Sequence, residues 1–329
     1  MDPAARRDRR WALRTLGVLA GAPLLAGVAL RRGVHAALVG AQDFADSQID
    51  PGPFPKSLRG PSGGVQTLAR APRRIVSTYL GADELLASLV SPERVVAVSA
   101  YADDPATSNC HGAYPKAVPR LRTEPERILS LEPDLVCVAG YTEPEALRLT
   151  VGTGLPIVRW SRFTSFTDIV AMLRLHGAAL GEEARAAALV GELEALLADL
   201  ASRLAGARPV RVLYYDPPSY TFGPGSLVGE ILARAGGDNV AAQLGIAGPG
   251  QIQLETVLGL EPEAIVMPRY ADNGSRMDEL VANPIWRQVP AVRAGRVHEI
   301  PGAWVATVSH HAARGLARIA RLLHPDRFG

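Results

Sequence analysis

The chain is poor in lysine: of its 35 basic side chains only Lys56 and Lys116 are lysines, and the rest are arginines. Arginine's planar fork suits bidentate recognition of anions, although a usage spread over a whole chain is better explained as a compositional bias of its proteome. Cysteine is scarce as well. Cys110 and Cys137 are the only two, and no C-x-x-C or Cys/His cluster at zinc spacing is present, which excludes a zinc-finger type of fold. The two thiols could pair in an oxidising compartment, but the spacing alone does not show whether the geometry allows it. Net charge is only +2, so no general field draws nucleic acid. Aromatic residues are 5% of the chain, and their positions are correspondingly informative. Long apolar runs are also missing. The one substantial run, Thr15 to Leu30, spans about 24 Å as a helix, short of a bilayer core of about 30 Å.

That run lies in a targeting segment, residues 1–41. It follows the basic "RRDRRWALRTLG", and its length suits the apolar region of an export signal. Arg9-Arg10-Trp11-Ala12-Leu13-Arg14 resembles a twin-arginine motif, with Ala12 in place of the larger apolar residue expected there. Val39-Gly40-Ala41 supplies small residues for cleavage before Gln42. An uncleaved signal-anchor is the alternative. Residues 42–70 are rich in Pro, Gly and Ser and read as a linker. Their "GPSGG" (Gly60 to Gly64) fits the G-x-S-x-G spacing of a hydrolase elbow but has no strand before it or helix after it.

Ordered patterning begins at residue 71. Ile75-Val76-Ser77 reads as a strand, Ala82 to Leu89 as a helix and Val95 to Val98 as a second strand, a parallel α/β unit. Glu126 to Leu131 and Glu143 to Thr150 read as helices, and Leu135 to Val138 and Leu155 to Trp160 as strands. From residue 165 to 206 the pattern is helical throughout. One helix covers "TDIVAMLRLHGAALG", and a second runs from Glu182 to Leu204, with acid at its start and Gly206 beyond its end. Residues 207–329 return to α/β: "RPVRVLYYD" is a strand, "GPGSLVGEILARAGGDNVAA" a turn, helix and Gly-Gly stop. Ser309 is placed to cap a final helix, "HHAARGLARIARLL".

Between these halves the chain repeats itself. "RILSLEPDLVCV" (Arg127 to Val138) and "TVLGLEPEAIVM" (Thr256 to Met267) align at an offset of 129 positions. In that register Glu132 falls on Glu261, Pro133 on Pro262, Tyr141 on Tyr270 and Glu143 on Asp272. A short helix ends before Pro, a buried strand follows, and a loop then carries a Tyr and a carboxylate. The expected fold is therefore α/β: two Rossmann-like lobes with parallel sheets, 71–164 and 207–329, joined by the helices of 165–206, of which one is long and rigid.

These segments resemble the periplasmic binding proteins for cobalamin and iron–siderophore complexes. The likeness runs through "PRRIVSTYLGADELLASLVSPERVVAVSAYADDP", "EPERILSLEPDLVCVAGYTEPEA", "TFGPGSLVGEILARAGGDNVA", "QLETVLGLEPEAIVMP" and "NPIWRQVPAVRAGRVHEIPG", in that order. The resemblance implies a two-lobed carrier for a bulky metal chelate (cobalamin, a ferric siderophore or haem), bound between the lobes as a ligand and not as a cofactor. It implies delivery to an ABC permease dimer with a cytoplasmic ATPase, and no catalytic residues or bound metal of the protein's own. A monomer outside the cytoplasmic membrane is expected. An exported enzyme of chelatase or hydrolase type and a receptor-docking sensor are the competing readings, and no cleft signature selects corrinoid over siderophore.

Loops at the carboxyl ends of parallel strands line ligand crevices. That rule selects Thr78, Tyr79, Tyr101, Tyr141, Arg162 and Phe163 in the first lobe. In the second it selects Tyr215, Tyr220, Phe222, Tyr270 and Trp304. Aromatic faces suit a large planar or chelated ligand, and packing within each lobe is the competing use. His310 is a further ligand candidate, while His310 and His311 together make a poor metal pair if both are helical, since neighbours on a helix point about 100° apart. The family resemblance also implies one docking carboxylate per lobe facing arginines of the permease. The repeat offers Glu143 and Asp272, with Glu145 as an alternative in the first lobe and Asp278 or Glu279 in the second.

Overall fold

The structure, a computed structural model, describes residues 44–122, 124–217, 219–270 and 276–329. The expected export signal at 1–41 and the docking candidate Asp272 lie outside the described residues. Among the described residues no helix is long and apolar enough to cross a membrane.

The chain divides into two compact units. One comprises residues up to Arg162 together with Ile169–Val190; the other comprises Phe163–Asp168 and Gly191–Gly329. The first unit contains a five-stranded parallel sheet built from β4 (Ile75–Ser77), β5 (Val95–Ser99), β6 (Arg120–Leu121), β7 (Leu135–Ala139) and β8 (Ile157–Trp160), in the order β6-β5-β4-β7-β8. Its first three helices are α1 (Leu80–Leu89), α2 (Pro125–Ser130) and α3 (Pro144–Val151). Every residue of β7 is buried, as expected of a strand covered on both faces, which is why it reads as a continuous apolar run. Val76, Ala97, Val136, Val138 and Ile157 share one core with Leu121, Ile128 and Leu147.

Residues 44–70, the described part of the expected linker, are not one. They form a three-stranded antiparallel sheet of β1 (Gln48–Ile49), β2 (Lys56–Arg59) and β3 (Val65–Leu68). The strands are two to four residues long, too short between Pro and Gly for a period to stand out. Yet β2 alternates, with Lys56 and Leu58 buried and Ser57 and Arg59 exposed. "GPSGG" is the turn between β2 and β3, closed by Gly60 N–H donating to Gly64 O at 2.9 Å. The Lys56 ammonium is buried and donates to Ala178 O at 2.7 Å and to the Glu183 carboxylate.

The two central helices are α4 (Phe166–Leu180) and α5 (Glu183–Arg203). They touch so closely that a Cβ on Gly177 would sit 2.4 Å from that of Ala186. At 21 residues, α5 is about 31 Å long, and the division between the units falls within it.

The second unit has a four-stranded parallel sheet, β11-β9-β13-β14, of β9 (Val210–Tyr214), β11 (Gly237–Asn239), β13 (Ala264–Arg269) and β14 (Val297–Pro301). β10 (Tyr220–Phe222) and β12 (Pro249–Gln251) form a separate antiparallel pair. Its helices are α6 (Leu227–Arg234), α7 (Leu254–Leu260), α8 (Arg276–Ala282), α9 (Pro290–Arg293) and α10 (Ala312–Leu323). The expected Gly-Gly stop divides its work: Gly236, with φ of 78°, closes the turn after α6, and Gly237 opens β11. Ser309 does not cap the last helix. α10 begins at Ala312, and the Ser309 hydroxyl accepts from His311 N–H at 3.3 Å one turn earlier.

The internal repeat is one piece of architecture used twice. Glu132 and Glu261 both adopt left-handed backbone, with φ of 45° and 44°, ending α2 and α7 before the proline. In the first unit the Arg74 guanidinium donates to Leu131 O at 2.6 Å and Glu132 O at 2.9 Å. In the second, Arg211 donates to the matching carbonyls, Leu260 O and Glu261 O. The next acidic residue also matches: Asp134 accepts from Arg73 and Arg74 N–H at 2.8 Å each, and Glu263 accepts from Arg211 N–H at 3.0 Å. Each copy thus satisfies orphan carbonyls at a helix end and ties the amino end of one strand to that of its neighbour. In the second copy the Arg211 amide, followed by Arg208, holds the Glu263 carboxyl below its usual range.

Candidate functional site

The repeat clasps lie at the amino ends of the strands, so each sheet's carboxyl end is the one that presents side chains from loops. In the first unit, Thr78 follows β4, and both its N–H and its hydroxyl donate to Cys137 O at 3.1 Å. Tyr79 is buried. Its ring meets that of Tyr141 edge-on, with centroids 6.4 Å apart, and its hydroxyl lies 3.8 Å from Met172 Sδ. Burial pushes both phenols well above the usual range, so both stay neutral. Tyr101 and Tyr141 are half-buried and Arg162 is exposed. The Arg162 guanidinium stacks on Trp160, 4.5 Å from its ring centre. Tyr79 and Tyr141 thus form one aromatic pair, and Arg162 with Trp160 a separate cation–π pair at the end of β8.

α1 carries a buried polar layer that helical spacing did not disclose. Asp83, in the first turn of α1, and Glu84, the residue after it, are fully buried. Asp83 accepts from Ser99 N–H at 3.1 Å and from the Ser99 hydroxyl. Glu84 accepts from Asn109 N–H and Nδ2 at 2.8 and 2.9 Å. Asp83 therefore fastens the end of β5 to α1, and Glu84 fastens the segment after β5 to it. Burial raises the Asp83 carboxyl to about 6 against the lowering effect of its hydroxyl partners. Cys110 and Cys137 are both free and buried, so the disulfide that their presence allowed is not formed. Burial pushes each thiol up to about 12.

In the second unit Tyr215, Phe222 and Tyr270 are all buried. Tyr215 packs edge-on to Trp286 at 4.8 Å and Phe222 edge-on to Tyr214 at 5.5 Å. Tyr270 donates its hydroxyl to Asp216 Oδ2 at 3.3 Å. Asp216, which follows β9 by two residues, was not anticipated; burial lifts its carboxyl to about 7. Phe163, Tyr220, Trp304 and His310 keep partial exposure, and Gln251 Nε2 donates to the Tyr220 hydroxyl at 3.3 Å. His310 and His311 precede α10 in a turn and are not helical neighbours, so their rings come together, with centroids 4.1 Å apart. Burial, reinforced by Arg314, pulls His310 down to about 4. Among the described residues no group of three His, Cys, Asp or Glu side chains is placed to hold a metal ion.

β6 is a further strand that the sequence pattern hid, being only two residues long. It places exposed Arg122 at another carboxyl end of the first sheet. Of the docking candidates, Glu143 is exposed and precedes α3 without capping it. Glu145 pairs with Arg148 at 3.8 Å, and Asp278 and Glu279 are exposed in the first turn of α8.

The profile of a family described as periplasmic binding protein matches residues 75–303. The cobalamin-binding protein of Halobacterium salinarum is 26% identical over 277 residues, covering 82% of this chain and 74% of that one. The iron(3+)-hydroxamate-binding protein FhuD of Escherichia coli is 30% identical over 199 residues, covering 56% and 64%. Among solved structures, the periplasmic heme-binding protein RhuT from a Roseiflexus species superposes with a TM-score of 0.66 at 25% identity, covering 77% of this chain and 98% of that one.

Proposed function

This chain belongs to the periplasmic binding protein family, and from that premise we propose that it is the extracytoplasmic substrate-binding component of an ABC importer, carrying a metal chelate. The observation that carries the reading is the family match across 75–303, both units included. The named ligands of three relatives point to the same ligand chemistry, since cobalamin, ferric hydroxamate and haem are all bulky chelates. The aromatic side chains left partly exposed at the carboxyl ends suit such a ligand. Tyr101, Tyr141, Phe163, Tyr220 and Trp304 are the contact residues, with Arg122, Arg162 and His310 as polar partners. Buried Tyr79, Tyr215, Phe222 and Tyr270 back this layer and hold it in place.

The proposed action is capture and delivery; the relatives reported above are themselves named as binding proteins. Glu143 in the first unit and Asp272 in the second meet the permease. Export proceeds through the twin-arginine segment around Arg9 and Arg10. A reporter fused to residues 1–42 should leave the cytoplasm only when both arginines are present; full export of the Arg9→Lys, Arg10→Lys form would point to the general secretory route instead. The direct test of function is a titration of the purified mature chain with cyanocobalamin, ferrichrome and haemin, read by the chelate's visible spectrum and by tryptophan fluorescence.

A further inference from the structure

The last helix, α10, carries charge of one sign only. Its 12 residues include Arg314, Arg318 and Arg321, all exposed, and no Asp or Glu. At about 100° and 1.5 Å per residue, the three lie within about 60° of one another around the axis and along about 10 Å of it. The opposite face is used inside the unit. Leu316, Ile319, Ala320 and Leu323 are buried, and a Cβ on Gly315 would sit 2.5 Å from Trp304 O. α10 is therefore fixed against its own unit, with the arginine row as its outward ridge.

Other helices of the chain neutralise their arginines. Arg127 lies 4.0 Å from Glu124, Arg148 3.8 Å from Glu145, Arg203 2.8 Å from Asp199 and Arg234 2.7 Å from Glu230. Each acid stands three or four positions before its arginine, the favourable order on a helix. The corresponding positions for the α10 row hold His310, His311, Arg314, Gly315, Ala317 and Arg318. Among the described residues none of the three arginines has a carboxylate within ion-pair distance. The Arg321 guanidinium donates to Ala317 O at 3.3 Å and lies 5.3 Å from the Phe328 ring centre, contacts that leave its charge in place. Arg314 and Arg318, and Arg318 and Arg321, are like-charged neighbours one turn apart, a destabilising spacing. Arg314 also stands in the first turn, against the helix dipole. The helix thus holds a self-repelling row that no carboxylate among the described residues offsets.

Such a row fits an anionic surface. A protein partner would also need an apolar patch to desolvate, and none of the exposed large hydrophobic side chains lies on α10. Anionic lipid headgroups need charge alone. We propose that Arg314, Arg318 and Arg321 form a docking ridge for the anionic phosphate headgroups of a lipid bilayer. The ridge holds the second unit to the membrane surface without insertion, because the apolar face of α10 is already packed. This goes beyond the reading of the chain as a chelate carrier and does not depend on any chelate binding.

The test is co-sedimentation of the purified mature chain with vesicles, either phosphatidylcholine alone or phosphatidylcholine mixed with phosphatidylglycerol, at low ionic strength. The chain should partition onto the mixed vesicles, stay off pure phosphatidylcholine, and be released as salt is raised. Each arginine should contribute about fivefold to the partition constant, equivalent to about 1 kcal/mol. Arg314→Gln with Arg318→Gln should therefore weaken partition about 25-fold, and should melt no lower than wild type because it removes a like-charged pair. Arg127→Gln with Arg148→Gln removes the same charge from acid-paired positions and should leave partition nearly unchanged. Arg314→Lys with Arg318→Lys should bind like wild type, since a lipid surface reads charge and not the guanidinium fork. Equal weakening by the two glutamine pairs would mean that net charge alone is read, and overturns the ridge. Loss of binding in the lysine variant, or no binding of wild type to the mixed vesicles, is the result expected of an acidic protein partner, and overturns the lipid assignment. Failure of every chelate to bind would leave this outcome untouched.

Discussion

Replacing Asp134 by Ala tests whether the repeated segment is a structural clasp. The carboxylate accepts two backbone N–H groups at 2.8 Å, those of Arg73 and Arg74. Hydrogen bonds to charged groups are worth about 1.5–3 kcal/mol each, but these lie at an exposed rim, where water competes. About 1 kcal/mol apiece is the reasonable share, or about 2 kcal/mol for both. For a unit of this size the melting temperature should fall by about 4–8 °C. Asp134→Asn keeps one acceptor oxygen and should lose about half as much. Glu263→Ala should behave alike in the second unit, because that carboxylate accepts from Arg211 N–H and from the Arg208 guanidinium at 3.0 Å. Two units need not unfold together, so denaturant titration should be paired with hydrogen exchange, which assigns the loss to one of them. The reasoning fails if Asp134→Ala stays within about 0.5 kcal/mol of wild type, or if it loosens the second unit in place of the first.

Burial holds the Asp216 carboxyl near 7, so the folded chain keeps a proton that the unfolded chain releases near the ordinary carboxylate value of about 4. The resulting stability is complete below that ordinary value and is lost as pH rises through about 7. Asp216→Asn, which imitates the protonated form, should gain about 2 kcal/mol over wild type at about pH 8 and nothing near pH 4; a pH-independent difference in denaturation midpoint would refute this. Lys56→Met removes the buried donor to Ala178 O and Glu183 and should cost about 2 kcal/mol, with earlier proteolysis within residues 44–70; unchanged cleavage would contradict the anchor. Glu143→Ala combined with Asp272→Ala should keep chelate affinity and melting temperature, because rim charges act mainly on association, yet lose uptake in a reconstituted transport assay. Normal uptake would defeat the docking assignment, and a parallel loss of chelate binding would move both residues to the ligand face.

The parallel strands were legible because burial on both faces writes itself as unbroken apolar runs, as in "LVCVA" and "AIVMP". Their helices were legible from the proline and glycine that bound them. The repeat was visible as letters, but its reason was not. The arginines that complete each clasp, Arg74 and Arg211, are 137 positions apart and so fall out of the 129-residue register. The sheet of residues 48–68 was hidden because its strands are too short to show a period. At the candidate site the strand-end rule named loops that lie at the carboxyl ends of the strands but could not sort their side chains. Tyr79, Tyr215, Phe222 and Tyr270 turn inward, whereas Tyr101, Tyr141 and Trp304 keep partial exposure. Sequence also gave no sign that Ser47 bonds to β8 from more than 100 positions away.

The central claim is that this chain carries a metal chelate. The most direct measurement is equilibrium titration of the mature protein with cyanocobalamin, ferrichrome and haemin, each followed by its own visible band and by tryptophan quenching. At least one should bind saturably with Kd below about 100 μM, equivalent to about −5.5 kcal/mol. Failure of all three to bind at that level, by a chain shown to be folded, would contradict the account.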